Sequence, residues 1–107
     1  MSLDITLTEV KPCEVYSTNI THNCGKMAGA LGIYQHLWRP EELNITHARQ
    51  LIFPLEAAVE NLTFDKARYK AYENPNNWGT VEDFTGFLEK LLEACKQHPN
   101  ATISVWR

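Results

Sequence analysis

Residues 80–106 read TVEDFTGFLEKLLEACKQHPNATISVW, and a change of period inside them decides the fold. Val81, Phe84, Phe87, Leu88, Leu91, Leu92 and Cys95 recur every three or four positions, the stripe of an amphipathic helix. Thr80 precedes the stripe as an N-cap, and Asp83 stands three positions on, a shorter form of the capping box. Lys96 and His98 suit the negative end of such a helix, and Pro99 stops it. Asn100 turns the chain. Residues 101–106, Ala-Thr-Ile-Ser-Val-Trp, then alternate in the manner of a strand with one covered face.

The same alternation opens the chain. Ile5, Leu7 and Val10 are interleaved with Thr6, Thr8 and Glu9, Pro12 marks a turn, and Glu14 to Thr18 alternates again. Two strand regions at the ends of a chain of 107 residues most simply pair with each other. A lone ribbon is marginal in water, so it must lie against helices. The expected fold is α+β: three to four helices packed with a small antiparallel sheet formed by the N- and C-terminal strands, in a single domain over 1–107.

Between the strands lie two further helical patterns. Thr21 suits an N-cap, and Cys24, Met27, Ala28, Leu31, Tyr34 and Trp38 follow at helical spacing. His22, Lys26, Gly29, Ile33 and His36 fall on the opposite face. Gly25, Gly29 and Gly32 each cost about 0.5–1 kcal/mol relative to Ala, so the helix either breaks near Gly32 or is closely approached there. Pro40 ends it, and Pro40-Glu41-Glu42 begins a short helical piece. Thr46 is expected to cap a second helix with a stripe of Ala48, Leu51, Ile52, Leu55, Val59 and Leu62, kinked or restarted at Pro54. Residues 64–73 suit a short helix bearing Phe64, Tyr69 and Tyr72, and 74–79 read as a loop.

Composition narrows the class of function. The chain is 44% hydrophobic and 21% charged, ordinary globular proportions. A net charge of −3 without a basic block disfavours nucleic-acid binding. No apolar window approaches the ~20 residues of a membrane helix, and MSLDITLTEV lacks the features of a signal peptide. Cys13, Cys24 and Cys95 are odd in number and widely spaced, which suits reduced thiols in the cytoplasm. The Asn-x-Ser/Thr triplets at Asn19, Asn44, Asn61 and Asn100 are then turn and cap residues, not glycosylation sites.

Several segments carry a resemblance. They are Tyr16-Ser17-Thr18-Asn19-Ile20-Thr21-His22-Asn23 with Lys26-Met27-Ala28, Leu37-Trp38-Arg39-Pro40-Glu41-Glu42, Trp78-Gly79-Thr80, and Leu92-Glu93-Ala94-Cys95. In them the chain resembles a family of short bacterial and phage proteins to which no activity is assigned. The resemblance covers most of the chain after residue 14 and implies no catalytic role. Cys24 stands where that family places a larger aliphatic residue, which weighs against thiol chemistry there.

Two constellations suit binding. Asn19, Thr21, His22 and Asn23 gather at the start of the first helix, with Lys26 one turn on, an arrangement suited to a phosphate or carboxylate. The bland alternative makes Thr21 a cap and His22 and Lys26 a solvated face. Trp38, Arg39, Trp78 and the loop 74–77 form the second set, because Trp and Arg are enriched in binding hot spots. Its bland alternative has Trp38 closing the helix stripe and Trp78 plugging the core. Cys95-x-x-His98 has ligand-like spacing but no second pair, so no metal is expected, nor any cofactor. No nucleophile motif surrounds Cys24 or Cys95, and the glycines fit no phosphate-binding loop. The leading expectation is a non-enzymatic accessory or interaction module acting through protein contact or self-association. The glycine face of the first helix, Gly25, Gly29 and Ile33, would be its contact. The alternative is a protein or enzyme binding a small anionic ligand, with its site at Asn19, Thr21, His22, Asn23, Lys26, Trp38, Arg39 and Trp78.

Overall fold

The computed structural model describes residues 2–9, 13–73 and 78–107. Strand β1 (Ser2–Thr8) pairs antiparallel with β2 (Glu14–Thr21) and, on its other side, with β3 (Thr102–Trp106). The sheet order is therefore β2-β1-β3. The fold is α+β, and the terminal strands do pair. Pro12 and the loop 74–77 lie outside the described residues.

The central strand shows why the sheet forms. Leu3, Ile5 and Leu7 are buried on one face, while Ser2, Asp4, Thr6 and Thr8 turn to the other. Register carries this division to the neighbours: Leu3 faces Ile20, Ile5 faces Val105 and Leu7 faces Ile103. The helices α3 (Arg49–Phe64) and α5 (Val81–Gln97) supply most of the remaining core, with Leu51, Leu55, Ala58 and Leu62 meeting Phe84, Leu88, Leu91 and Cys95. The opposite face of the sheet stays polar and open.

Helix α5 matches its sequence pattern closely. The Thr80 hydroxyl accepts from the Asp83 N–H at 3.1 Å, and the Asp83 carboxylate accepts from the Thr80 N–H at 3.4 Å. Helix α3 departs from expectation at both its start and its proline. No side chain caps it, Thr46 included: the N–H groups of Ala48 and Arg49 donate to the carbonyls of Ala101 at 2.8 Å and Pro99 at 2.9 Å, while Gln50 Oε1 accepts from Thr46 N–H at 2.8 Å and His47 N–H at 3.0 Å in the loop before the helix. The helix also runs through Pro54 without a restart. A proline costs about 3 kcal/mol there. Burial of Leu51, Leu55 and Leu62, worth roughly 1.5–3 kcal/mol each, exceeds that.

The first predicted helix is three pieces. Thr21 caps a single 3₁₀ turn at His22–Cys24, accepting from the Asn23 N–H at 3.3 Å. Then come α1 (Gly25–Leu31) and α2 (Tyr34–Trp38), separated by Gly32 in the left-handed conformation at φ 78°. The break rotates the stripe. Ile33, expected on the open face, is buried, whereas Tyr34, expected in the core, is 36% exposed. The contact face of Gly25, Gly29 and Ile33 therefore does not exist as a surface. Residues 64–73 also divide: Phe64 ends α3, α4 (Lys66–Tyr69) follows, and Lys70–Tyr72 form a 3₁₀ turn.

Candidate functional site

A shallow cleft of about 440 Å³ lies where β2 ends, lined by Ser2, Asn19, Thr21, His22, Asn23 and Trp78. It continues into a second concavity of about 270 Å³ bounded by Asn19, Ile20, Thr21, Trp78, Gly79 and Asp83. Trp78 stands between the two and is 68% exposed. It does not plug the core.

Backbone geometry brings Trp78 here. Gly79 takes φ +85°, a region L side chains avoid. A Cβ on it would meet Cys24 Sγ at 2.9 Å and Thr21 Cγ2 at 3.0 Å. The missing side chain thus lets the 78–80 segment dock directly on the turn that carries Thr21, His22 and Asn23. Ser2 reaches the same place because it pairs with Thr21 across the sheet.

Trp38 reaches the site indirectly. It is 2% exposed, and its indole N–H donates to His22 Nδ1 at 2.8 Å. An indole can only donate, so this nitrogen of His22 must be the unprotonated one. The neutral ring then carries its hydrogen on Nε2. Tyr34 stacks on Trp38 with ring centroids 5.1 Å apart, which completes a rigid column behind the imidazole.

Five of the eight expected residues, Asn19, Thr21, His22, Asn23 and Trp78, line one concavity, and Trp38 supports it from behind. Lys26 and Arg39 do not line it. Lys26 is exposed on α1, and Arg39 pairs with Glu42 at 3.6 Å. Ser2 and Asp83 were missed. Ser2 could have been found from strand register, and Asp83 from its place one turn into the helix that follows Trp78.

The two buried cysteines, Cys24 and Cys95, are poor nucleophiles. Burial, with a smaller contribution from the Asp83 charge, pushes the Cys24 thiol up to about 12. Burial alone pushes Cys95 up to about 11. His98 lies 3.0 Å from Glu9, while Cys95 faces the core, so the two do not converge on a metal. Among the described residues no cluster of three or more His, Cys, Asp or Glu side chains is placed to hold a metal ion. Within the same residues no helix is long and apolar enough to cross a membrane. Comparison with family models, with curated proteins and with solved structures finds no match for the chain.

Proposed function

We propose that this domain recognises a small polar ligand, or a protruding polar group of a larger partner, non-covalently in the cleft beside Trp78. One observation carries the reading: six polar or aromatic side chains from three separate segments, an exposed indole among them, converge on a single concavity. A large aromatic face left in water beside amides that are unpaired among the described residues is an unfavourable arrangement for stability alone. It is the arrangement of binding sites, where a few polar groups fix a ligand against an apolar surface. The buried, protonated thiols favour binding over covalent chemistry.

The anionic ligand expected from the sequence is the weaker form of this reading. Lys26 and Arg39 were its cations, and neither lines the cleft. The test is a thermal-shift screen against neutral, anionic and cationic metabolites, with Trp78→Ala as control. A ligand that binds the folded state must raise the melting temperature. Stabilisation that disappears in Trp78→Ala supports the reading, and equal stabilisation of both proteins sinks it.

Self-association has one observation in its favour. Phe53 is 80% exposed and Phe64 82% exposed, and eleven positions of helix place both on the same face of α3. Light scattering after size exclusion decides this second reading. A strict monomer at high concentration removes it.

A further inference from the structure

We infer that the cleft takes a neutral saccharide, laid along the open face of the sheet between Trp78 and Trp106. The inference rests on the cleft being a recognition site and adds the chemistry of its ligand.

The register of the strands carries the argument. Asp4 is opposite Asn19 on one side and Trp106 on the other. All three project from the face that does not cover the core, because their neighbours Leu3, Ile5 and Leu7 fill the other. With strands about 4.8 Å apart, Asn19 and Trp106 stand about 10 Å from each other across the sheet. Asn19 also lines the cleft with Trp78. A single polar band therefore runs over three strands, bounded at each end by an exposed indole. Trp106 is 76% exposed.

Apart from Asp4 and His22, the polar groups along the band are amides and hydroxyls: Asn19, Asn23, Ser2 and Thr21. Each both donates and accepts, as a sugar hydroxyl does. The flat apolar face of an indole matches the C–H face of a pyranose ring. Charge and hydrogen-bond donors weigh against the charged classes of small ligand. Asp83 lines the second concavity, Asp4 lies beside Asn19 in the middle of the band, and among the described residues no Lys or Arg lines the cleft, so an anion meets repulsion without a partner. A cation would suit the carboxylates but leave the His22 Nε2–H, which the Trp38 indole fixes as a donor, without an acceptor. A neutral ligand rich in oxygen acceptors satisfies all of these groups.

Trp38 is thus a positioning residue: it never meets the sugar but sets which proton His22 offers. Imidazole nitrogen NMR on the unaltered protein reads this directly and requires the hydrogen on Nε2. A hydrogen on Nδ1 would overturn it.

The full chain is titrated by NMR and calorimetry with glucose, galactose, N-acetylglucosamine and their disaccharides and trisaccharides. Inorganic phosphate, acetate and tetramethylammonium serve as charged probes. The expected result is a shift of the Trp78 indole resonance by a saccharide, lost in Trp78→Ala. Trp106→Ala should weaken a trisaccharide by roughly three- to tenfold, the worth of one aromatic contact, and leave a monosaccharide unchanged. Both tryptophans are exposed, so neither variant threatens the fold. If a charged probe moves the Trp78 resonance and no saccharide does, the ligand class is overturned while the cleft remains a binding site. If no probe moves it, the recognition reading falls as well.

Discussion

At the scale of the residue, the pairing of His22 with Trp38 is the least predictable contact and the most consequential for the site. The two are sixteen positions apart, on the 3₁₀ turn and on α2. A continuous helix would not have placed them so, and the left-handed Gly32 lies between them. The sequence does show that Asn19, Thr21, His22 and Asn23 cluster, because they are consecutive or nearly so. It does not show that Trp78 joins them, since that contact depends on an absent Cβ at Gly79. The thiols give a residue-level prediction. Cys13 is exposed, whereas Cys24 and Cys95 are buried and their pKa values lie near 12 and 11. The thiolate is the reactive form, so near neutral pH an aromatic disulfide reagent should release one fast equivalent from the native protein. All three should react in denaturant. Two fast equivalents from the native protein would contradict the burial described.

At the scale of the element, legibility follows how local the determinants are. Helix α5 was readable in full because its cap, stripe and stop all lie within twenty residues. Helix α3 was readable in its stripe and not in its start, since its first N–H groups are satisfied by the distant carbonyls of Ala101 and Pro99. The loss at Pro54 was readable, but the gain that outweighs it is tertiary. Two glycines make opposite predictions about their elements. Gly86 lies inside α5 with nothing within 4 Å of an added Cβ. Gly86→Ala should therefore stabilise by up to about 1 kcal/mol through helix propensity alone. Gly79→Ala combines a left-handed backbone with contacts of 2.9 and 3.0 Å, and should destabilise by about 2 kcal/mol or more. Chemical denaturation of the two variants reads both signs. A neutral Gly79→Ala would mean that Trp78 is not held against the Thr21 turn.

At the scale of the whole molecule, β1 is the centre of the sheet and carries three buried side chains, so both neighbours depend on it. That the terminal regions pair was legible, because strands without another partner must find each other. The acid response of the fold was not. His36 Nδ1 is buried without a hydrogen-bond partner among the described residues, and burial lowers the pKa of the ring from 6.5. The unfolded chain therefore takes up this proton at a higher pH than the native protein does. Stability is fully present above pH 6.5 and declines as the pH falls from there toward the native pKa. Glu41 is also held below its ordinary value of 4.5, first by a backbone hydrogen bond and then by Arg107, but its loss begins only in more acidic solution. Melting temperatures between pH 7.5 and roughly pH 5 should thus fall in the native sequence, and His36→Gln should flatten the slope. Equal slopes in the two proteins would remove His36 as the cause.

The antiparallel pairing of β1 with β3 has a mechanical consequence. Asp4 faces Trp106, so the first strand begins and the last strand finishes at the same edge of the sheet. A load applied to both tails would not shear the ladder, with all its bonds sharing the strain. It would open the pair like a zipper, one rung after another from Asp4 and Trp106 toward Thr8 and Thr102. Tethered by its ends, the domain should yield at low force, and β3 should peel away first.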